Sequence, residues 1–251
     1  MKNEIDLKRR IIVALDVEKS EEAISLVKKL DEVEVFKVGL RLFILDGPPL
    51  IKEIQRLGKR VFLDLKFHDI PNTVSDAIRA SLRHGAFMIT LHASGGSEMM
   101  KRAREAAEDE AEKQKVARPL LLAVTVLTSL RDKELKEIGI EKGVISEVEN
   151  LAQIAAESGM DGVVCSPQEI EIIKKNYGDS LLLVVPGIRP AWAEAQDQKR
   201  IMTPGLAFQK GADYLVIGRP IIKHPSPEEA YRKILKELNG MHRSAYGKDS
   251  T

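Results

Sequence analysis

At 251 residues, 43% apolar and 31% charged, the chain suffices for one α/β barrel with a large core and a hydrated surface. Its 39 basic and 38 acidic side chains leave a formal charge of +1, which supplies no electrostatic pull towards nucleic acid or a membrane. A single cysteine, Cys165, excludes an intrachain disulfide and points to a reducing, cytoplasmic setting.

Segment 1–10 is charged and lacks the apolar centre of a signal peptide. The first strand is predicted over 10–17, with Asp16 near its end. Ser20 is the expected N-cap of a helix over 21–30. A second strand over 33–40 carries Lys37 among apolar neighbours. Gly47-Pro48-Pro49 is expected to open the next helix, which Gly58 closes. The third strand, Val61-Phe62-Leu63-Asp64-Leu65-Lys66-Phe67, alternates, with Asp64 and Lys66 on one face; Asp69 follows it, and a helix runs over 74–84.

Strand four covers 87–93 and ends in Ser94-Gly95-Gly96, before a charged helix over 97–115 whose run 101–115 reads as a solvated face with i,i+4 pairs. Strand five (120–128) precedes 132–138 and a stronger helix over 145–158. Strand six (162–165) leads to a helix over 167–177. Strand seven (181–186) runs into Gly187-Ile188-Arg189-Pro190 and a polar loop. Thr203-Pro204 caps a helix over 205–210. Strand eight (214–217) ends in Gly218-Arg219-Pro220, and the last helix runs from 226 to 238. The expected organisation is one domain over 1–238 and a polar, disordered tail over 239–251. Eight strand–helix alternations in this length favour a (β/α)8 TIM barrel, with an open doubly wound sheet as the alternative that periodicity leaves standing. The apolar runs 120–124 and 181–185 are too short to cross a bilayer.

In such barrels the site lies at the carboxyl ends of the strands. A lone ion there is ordinarily a solvated edge or a satisfied pair. Here the first three strand ends offer Asp16, Lys37 and Asp64-x-Lys66, and neighbouring ends lie about 5 Å apart, which predicts an alternating network of lysines and carboxylates. Lys66 beside Asp64 is expected to stay protonated. A charged lysine in a dry pocket stabilises a developing carbanion and then protonates it. Acidic neighbours would repel a substrate carboxylate, and its departure as CO2 would relieve that repulsion. Neither metal nor organic cofactor is needed, and no Cys/His pattern has metal-ligand spacing. Arg189, Gln198, Gly218 and Arg219, after strands seven and eight, suit a phosphate. His92 reads as structural, His68 lacks the partners of a metal ligand, and Cys165 reads as a small buried residue.

The stretch from Phe62 through Asp64, Lys66 and Asp69 to Ile70-Pro71-Asn72-Thr73-Val74 resembles the signature of the orotidine 5'-phosphate decarboxylase family. Val13-Ala14-Leu15-Asp16, Phe36-Lys37-Val38-Gly39, Leu127-Thr128-Ser129, Pro186-Gly187-Ile188-Arg189-Pro190, Asp197-Gln198 and Ile217-Gly218-Arg219-Pro220 extend the resemblance over about residues 10–235. It implies a (β/α)8 barrel, a homodimer with shared active sites, no cofactor, and conversion of orotidine 5'-monophosphate to UMP and CO2. It also implies Lys66 as proton donor within a tetrad of Lys37, Asp64, Lys66 and Asp69, with Asp69, Ile70 and Thr73 reaching the neighbouring subunit's site. Asp16 and Lys37 would hold the ribose, Thr128 and Ser129 would lie near the pyrimidine, and Arg189, Gln198, Gly218 and Arg219 would serve the phosphate. Two other readings fit the pattern: a Mg2+-dependent sugar-phosphate decarboxylase or aldolase of the same superfamily, and a silent nucleotide-binding barrel.

Overall fold

Short β-branched and leucine-rich runs form the strands, and each is followed by at least one helix. The structure, a computed structural model, describes residues 4–193 and 202–246. Among these the strands are β1 (Ile11–Ala14), β2 (Val35–Gly39), β3 (Arg60–Phe67), β4 (Met88–His92), β5 (Leu120–Val124), β6 (Gly162–Val164), β7 (Leu182–Pro186) and β8 (Tyr214–Ile217). They hydrogen-bond in sequence order as a closed parallel barrel, so the (β/α)8 class holds and the open sheet does not. The chain divides into two compact units, one of residues up to Arg60 and from Val185 onwards, the other Val61–Val184.

In the first unit β1 lies between β2 and β8, with Ile12 opposite Val35 on one side and Val216 on the other. Ile11, Ile12 and Val13 are fully buried. Helix α1 (Glu4–Arg9), too short to register as a periodic pattern, precedes β1. Glu32 accepts from Lys8 Nζ and from Arg232 Nε, both at 2.7 Å. These bonds, that to Lys8 first, hold its carboxyl below the usual range.

Helix α2 (Ser20–Lys29) buries Ala23, Leu26 and Val27. Its N-cap is Lys19 rather than Ser20, whose hydroxyl is buried without a partner among the described residues. Helix α3 (Leu40–Arg56) starts well before Gly47. Prolines 48 and 49 forbid a straight continuation, because the ring collides with the carbonyl four residues back. The chain therefore kinks at Gly47, with φ +39°, a conformation that glycine adopts without penalty.

The second unit carries helices α4 (Pro71–Arg83), α5 (Gly96–Gln114), α6 (Asp132–Glu137), α7 (Val144–Glu157) and α8 (Ile170–Tyr177). Helix α5 is not simply a solvated face. Met99, Met100, Ala103, Ala106, Ala107 and Ala111 form a buried stripe, and the helix packs against α4. Buried Glu110 in that stripe is satisfied by Arg83 Nε at 2.8 Å and Gln114 Nε2 at 2.7 Å. The Arg83 bond, then the Gln114 bond, brings its pKa down to about 2. An i,i+4 pair of the expected kind occurs as well, between Arg104 and Glu108.

In the first unit again, α9 (Pro204–Gln209) is capped as expected, Thr203 Oγ1 accepting the N–H of Leu206 at 3.3 Å. A four-residue helix, α10 (Arg219–Ile222), follows β8. Helix α11 (Pro227–Tyr246) continues past Leu238. Asn239 and Gly240 are weak helix formers, but each costs only about 1 kcal/mol or less. The buried stripe of Ala230, Tyr231, Ile234, Leu235 and Leu238 anchors the helix before them.

Two features of the second unit fix the β5–β6–β7 ladder. Gly162 pairs with Leu182, and a Cβ there would run into the Leu182 carbonyl oxygen, so the strands can approach only with glycine at this position. Beside it, Asp161 accepts both terminal nitrogens of Arg118 at 2.6 Å, the N–H of Leu121 at 2.8 Å and Arg104 at 3.3 Å. This planar, two-pronged geometry is the strong form of an ion pair. Asp161→Ala strands the Leu121 N–H and a half-buried guanidinium, which is expected to cost about 2–3 kcal/mol. Thermal unfolding should therefore fall by about 5–10 °C, and a shift below about 2 °C would refute the clamp.

Candidate functional site

The first unit places charge at the carboxyl ends of its strands. Lys37 pairs with Ala14 across the β1–β2 ladder, and its buried ammonium reaches Asp16 Oδ1 at 3.1 Å. Asp16 stands exposed just beyond β1. Two glycines clear the space around this pair. A Cβ on Gly39 would lie 3.2 Å from Lys37 Nζ, and one on Gly218 would lie 3.3 Å from Asp16 Oδ2.

Two of the cations expected for phosphate lie in this unit. Arg189 follows β7, is buried, and donates its backbone N–H to Met202 at 3.1 Å, next to the Ile188–Met202 bridge. Arg219 is exposed at the start of α10, directly after Gly218. Gln198 lies outside the described residues. The unit thus supplies a carboxylate–lysine pair suited to hydroxyl groups and two guanidinium groups suited to an anion.

The second unit holds the other half of the charged set. Lys66 Nζ donates to Asp64 Oδ1 at 2.7 Å, both side chains being partly buried. The backbone here is irregular. Phe62 pairs with Met88 and Leu63 with Ile89, but the next pair is Phe67 with Leu91, so β3 spends two more residues than β4 over the same distance. Lys66 lies within this bulge at φ +51°, in the left-handed region. For a residue with a Cβ that costs roughly 1–2 kcal/mol, so the surroundings must enforce it.

They do so through Thr90, which is completely buried on β4. Its Oγ1 accepts the Lys66 N–H at 2.9 Å and donates to Asp64 Oδ1 at 3.0 Å. Sequence reasoning passed over Thr90. A threonine in a strand is ordinary, and only the register break gives it a task.

Asp69, Ile70 and Thr73 are exposed around the start of α4. The Asp69 carboxylate accepts the N–H of Ile70 at 2.7 Å and forms no ion pair among the described residues. Geometry thus joins Asp64 to Lys66 and leaves Asp69 facing outwards. Thr128 and Ser129 are exposed in the loop after β5.

His92 is half-buried at the end of β4, its ring 5.4 Å from that of His68 and tilted by 37°. Burial lowers its pKa below that of an ordinary histidine. His68 and then Lys66 add to the shift, while Asp64 opposes it. Among the described residues no three His, Cys, Asp or Glu side chains are grouped to hold a metal ion. Cys165 is buried, as expected. Four residues on, Glu169 accepts the N–H of Ser166 at 2.7 Å. Its carboxyl is raised by burial, with that bond opposing. It secures the turn after β6 rather than the charged cluster.

Comparison with known proteins adds an independent line. The orotidine 5'-phosphate decarboxylase/HUMPS family model matches residues 9–234. An orotidine 5'-phosphate decarboxylase of Syntrophomonas wolfei is 53% identical over 232 residues, covering 91% of this chain and 97% of that protein. One of a Nostoc species is 49% identical over 230 residues, again covering 91% and 97%. Among solved structures, the orotidine 5'-phosphate decarboxylase of Lactobacillus acidophilus superposes with a TM-score of 0.82 at 40% identity, covering 92% of this chain and 99% of that one. By the extent of these matches and the fold they share, the chain belongs to the orotidine 5'-phosphate decarboxylase/HUMPS family.

Proposed function

We propose that this protein decarboxylates orotidine 5'-monophosphate to UMP and CO2, the closing step of UMP synthesis. The observation that carries the reading is the Lys66 ammonium, held at 2.7 Å on Asp64 in a partly buried position at the carboxyl end of a barrel strand. When the carbon–carboxylate bond breaks, its electron pair stays on the ring carbon. A fixed ammonium lowers the energy of that developing charge and then transfers a proton to the same carbon. CO2 leaves neutral, and Lys66 regains a proton from solvent. Asp64 holds the Lys66 ammonium in position before the reaction and repels a nearby substrate carboxylate.

The remaining roles follow residue by residue from the family motif. Asp16 and Lys37 hold the ribose hydroxyls, their pairing at 3.1 Å suiting vicinal donors and acceptors. Thr128 and Ser129 contact the pyrimidine. Arg189, Gln198, Gly218 and Arg219 bind the phosphate and its covering loop. Asp69, Ile70 and Thr73 complete the site of a second copy in a homodimer. Their exposure supports this assignment, Ile70 being 67% accessible although apolar. No cofactor enters the scheme, and neither nucleic acid nor membrane is a partner. A cytoplasmic location suits the lone buried cysteine, and among the described residues no helix is long and apolar enough to cross a membrane.

Three measurements test the scheme. Orotidine 5'-monophosphate should be turned over in excess EDTA, and activity that vanishes on chelation would favour the Mg2+-dependent alternative. Lys66→Ala should lower kcat by at least about 10²-fold while nucleotide still binds; near-parental turnover would remove Lys66 from the chemistry. Mixing inactive Lys66→Ala and Asp69→Ala proteins should restore activity, since one hybrid site then has both groups. Exchange of subunits without recovery would refute the shared site.

A further inference from the structure

We propose that Thr90 is a positioning residue for the reaction, its hydroxyl acting as the latch that holds both the backbone and the ammonium of Lys66. The inference rests on the decarboxylase reading and extends it to a residue that acts through Lys66 and Asp64.

A hydroxyl has one proton to give and two lone pairs to receive with. Thr90 Oγ1 uses a lone pair for the Lys66 N–H at 2.9 Å, so its own proton is directed to Asp64 Oδ1 at 3.0 Å. The same Asp64 oxygen receives Lys66 Nζ at 2.7 Å. The result is a closed circuit. It runs from the Lys66 backbone through Thr90 to Asp64 and returns to the Lys66 side chain.

The circuit lies where the β3–β4 ladder is broken. Between the Leu63–Ile89 and Phe67–Leu91 pairs the bulge removes the regular backbone acceptor that Lys66 N–H would otherwise meet. Thr90 supplies the substitute from the facing strand. It is rigid in its own right, since it is completely buried and paired with Leu122 on β5. A β-branched side chain in a strand also has few rotamers, so the hydroxyl arrives already aimed.

Without the hydroxyl, the left-handed φ of +51° at Lys66 loses its enforcement and relaxes towards extended geometry. Rotation about φ swings the Cα–Cβ bond and carries Nζ away from the reacting carbon. Asp64 loses a donor at the same time, so both members of the pair drift. Misplacement of a catalytic group by about 1 Å is worth on the order of 10²-fold in rate.

The test compares Thr90→Val, which keeps the branched shape without the hydroxyl, with Thr90→Ser, which keeps the hydroxyl without the methyl. Thr90→Val should lower kcat by about tenfold or more with KM within about threefold, and Thr90→Ser should stay within about threefold of the parent in both. In parallel, NMR amide exchange at Lys66 should be about tenfold faster or more in Thr90→Val and parental in Thr90→Ser. Thr90→Ala takes the place of Thr90→Val if the latter does not fold. Parental kcat in the variant lacking the hydroxyl, or a serine variant as impaired as it, overturns the proposal. If the parent itself does not turn over orotidine 5'-monophosphate, the decarboxylase reading fails. The amide-exchange pair then still decides the latch, equal exchange in parent and hydroxyl-free variant overturning it.

Discussion

A parallel strand covered on both faces offers an ionised side chain no water, and the arrangement of charge in this protein follows from that constraint. Each charge must either sit at a strand end or bring its own partner. Asp161, just ahead of β6, brings Arg118, Arg104 and a backbone N–H. Glu110, inside a helical stripe of alanine and methionine, brings Arg83 and Gln114. At the carboxyl ends the pairs are different in kind: Lys37 with Asp16, and Lys66 with Asp64. Each joins a well-buried side chain, Lys37 or Asp64, to a more accessible partner, Asp16 or Lys66, at the strand ends where barrels of this class place their sites.

Much of this was legible in the sequence because it depends on local periodicity. Alternation in Val61-Phe62-Leu63-Asp64-Leu65-Lys66-Phe67 places Asp64 and Lys66 on one face, and they do form a pair. Lys37 among apolar neighbours and Asp16 at a strand end are legible as two members of an expected charge network, and these two meet at 3.1 Å. Thr203-Pro204 caps its helix because capping needs only four consecutive residues.

What escaped prediction depends on pairing between segments distant in the chain. The bulge in β3 arises from its register with β4, so neither the left-handed turn at Lys66 nor the duty of Thr90 has a local signature. Gly47-Pro48-Pro49 resembles a helix start, yet a helical segment from Leu40 leads into it across a kink. Helices α1 and α10 are too short for an amphipathic period to show. The buried stripe on α5 was hidden by composition, since small alanines among many charges read as a polar surface.

The backbone at Lys66 sets two requirements of the chain against each other. Position 66 has a conformation that glycine would occupy with ease, while the proposed chemistry requires a flexible side chain ending in an ammonium that can give up its proton. Selection for thermal robustness alone would therefore press towards losing the lysine, and selection for turnover towards keeping it. A drifting or redesigned copy freed from the proposed reaction would therefore be open to gains in stability at position 66.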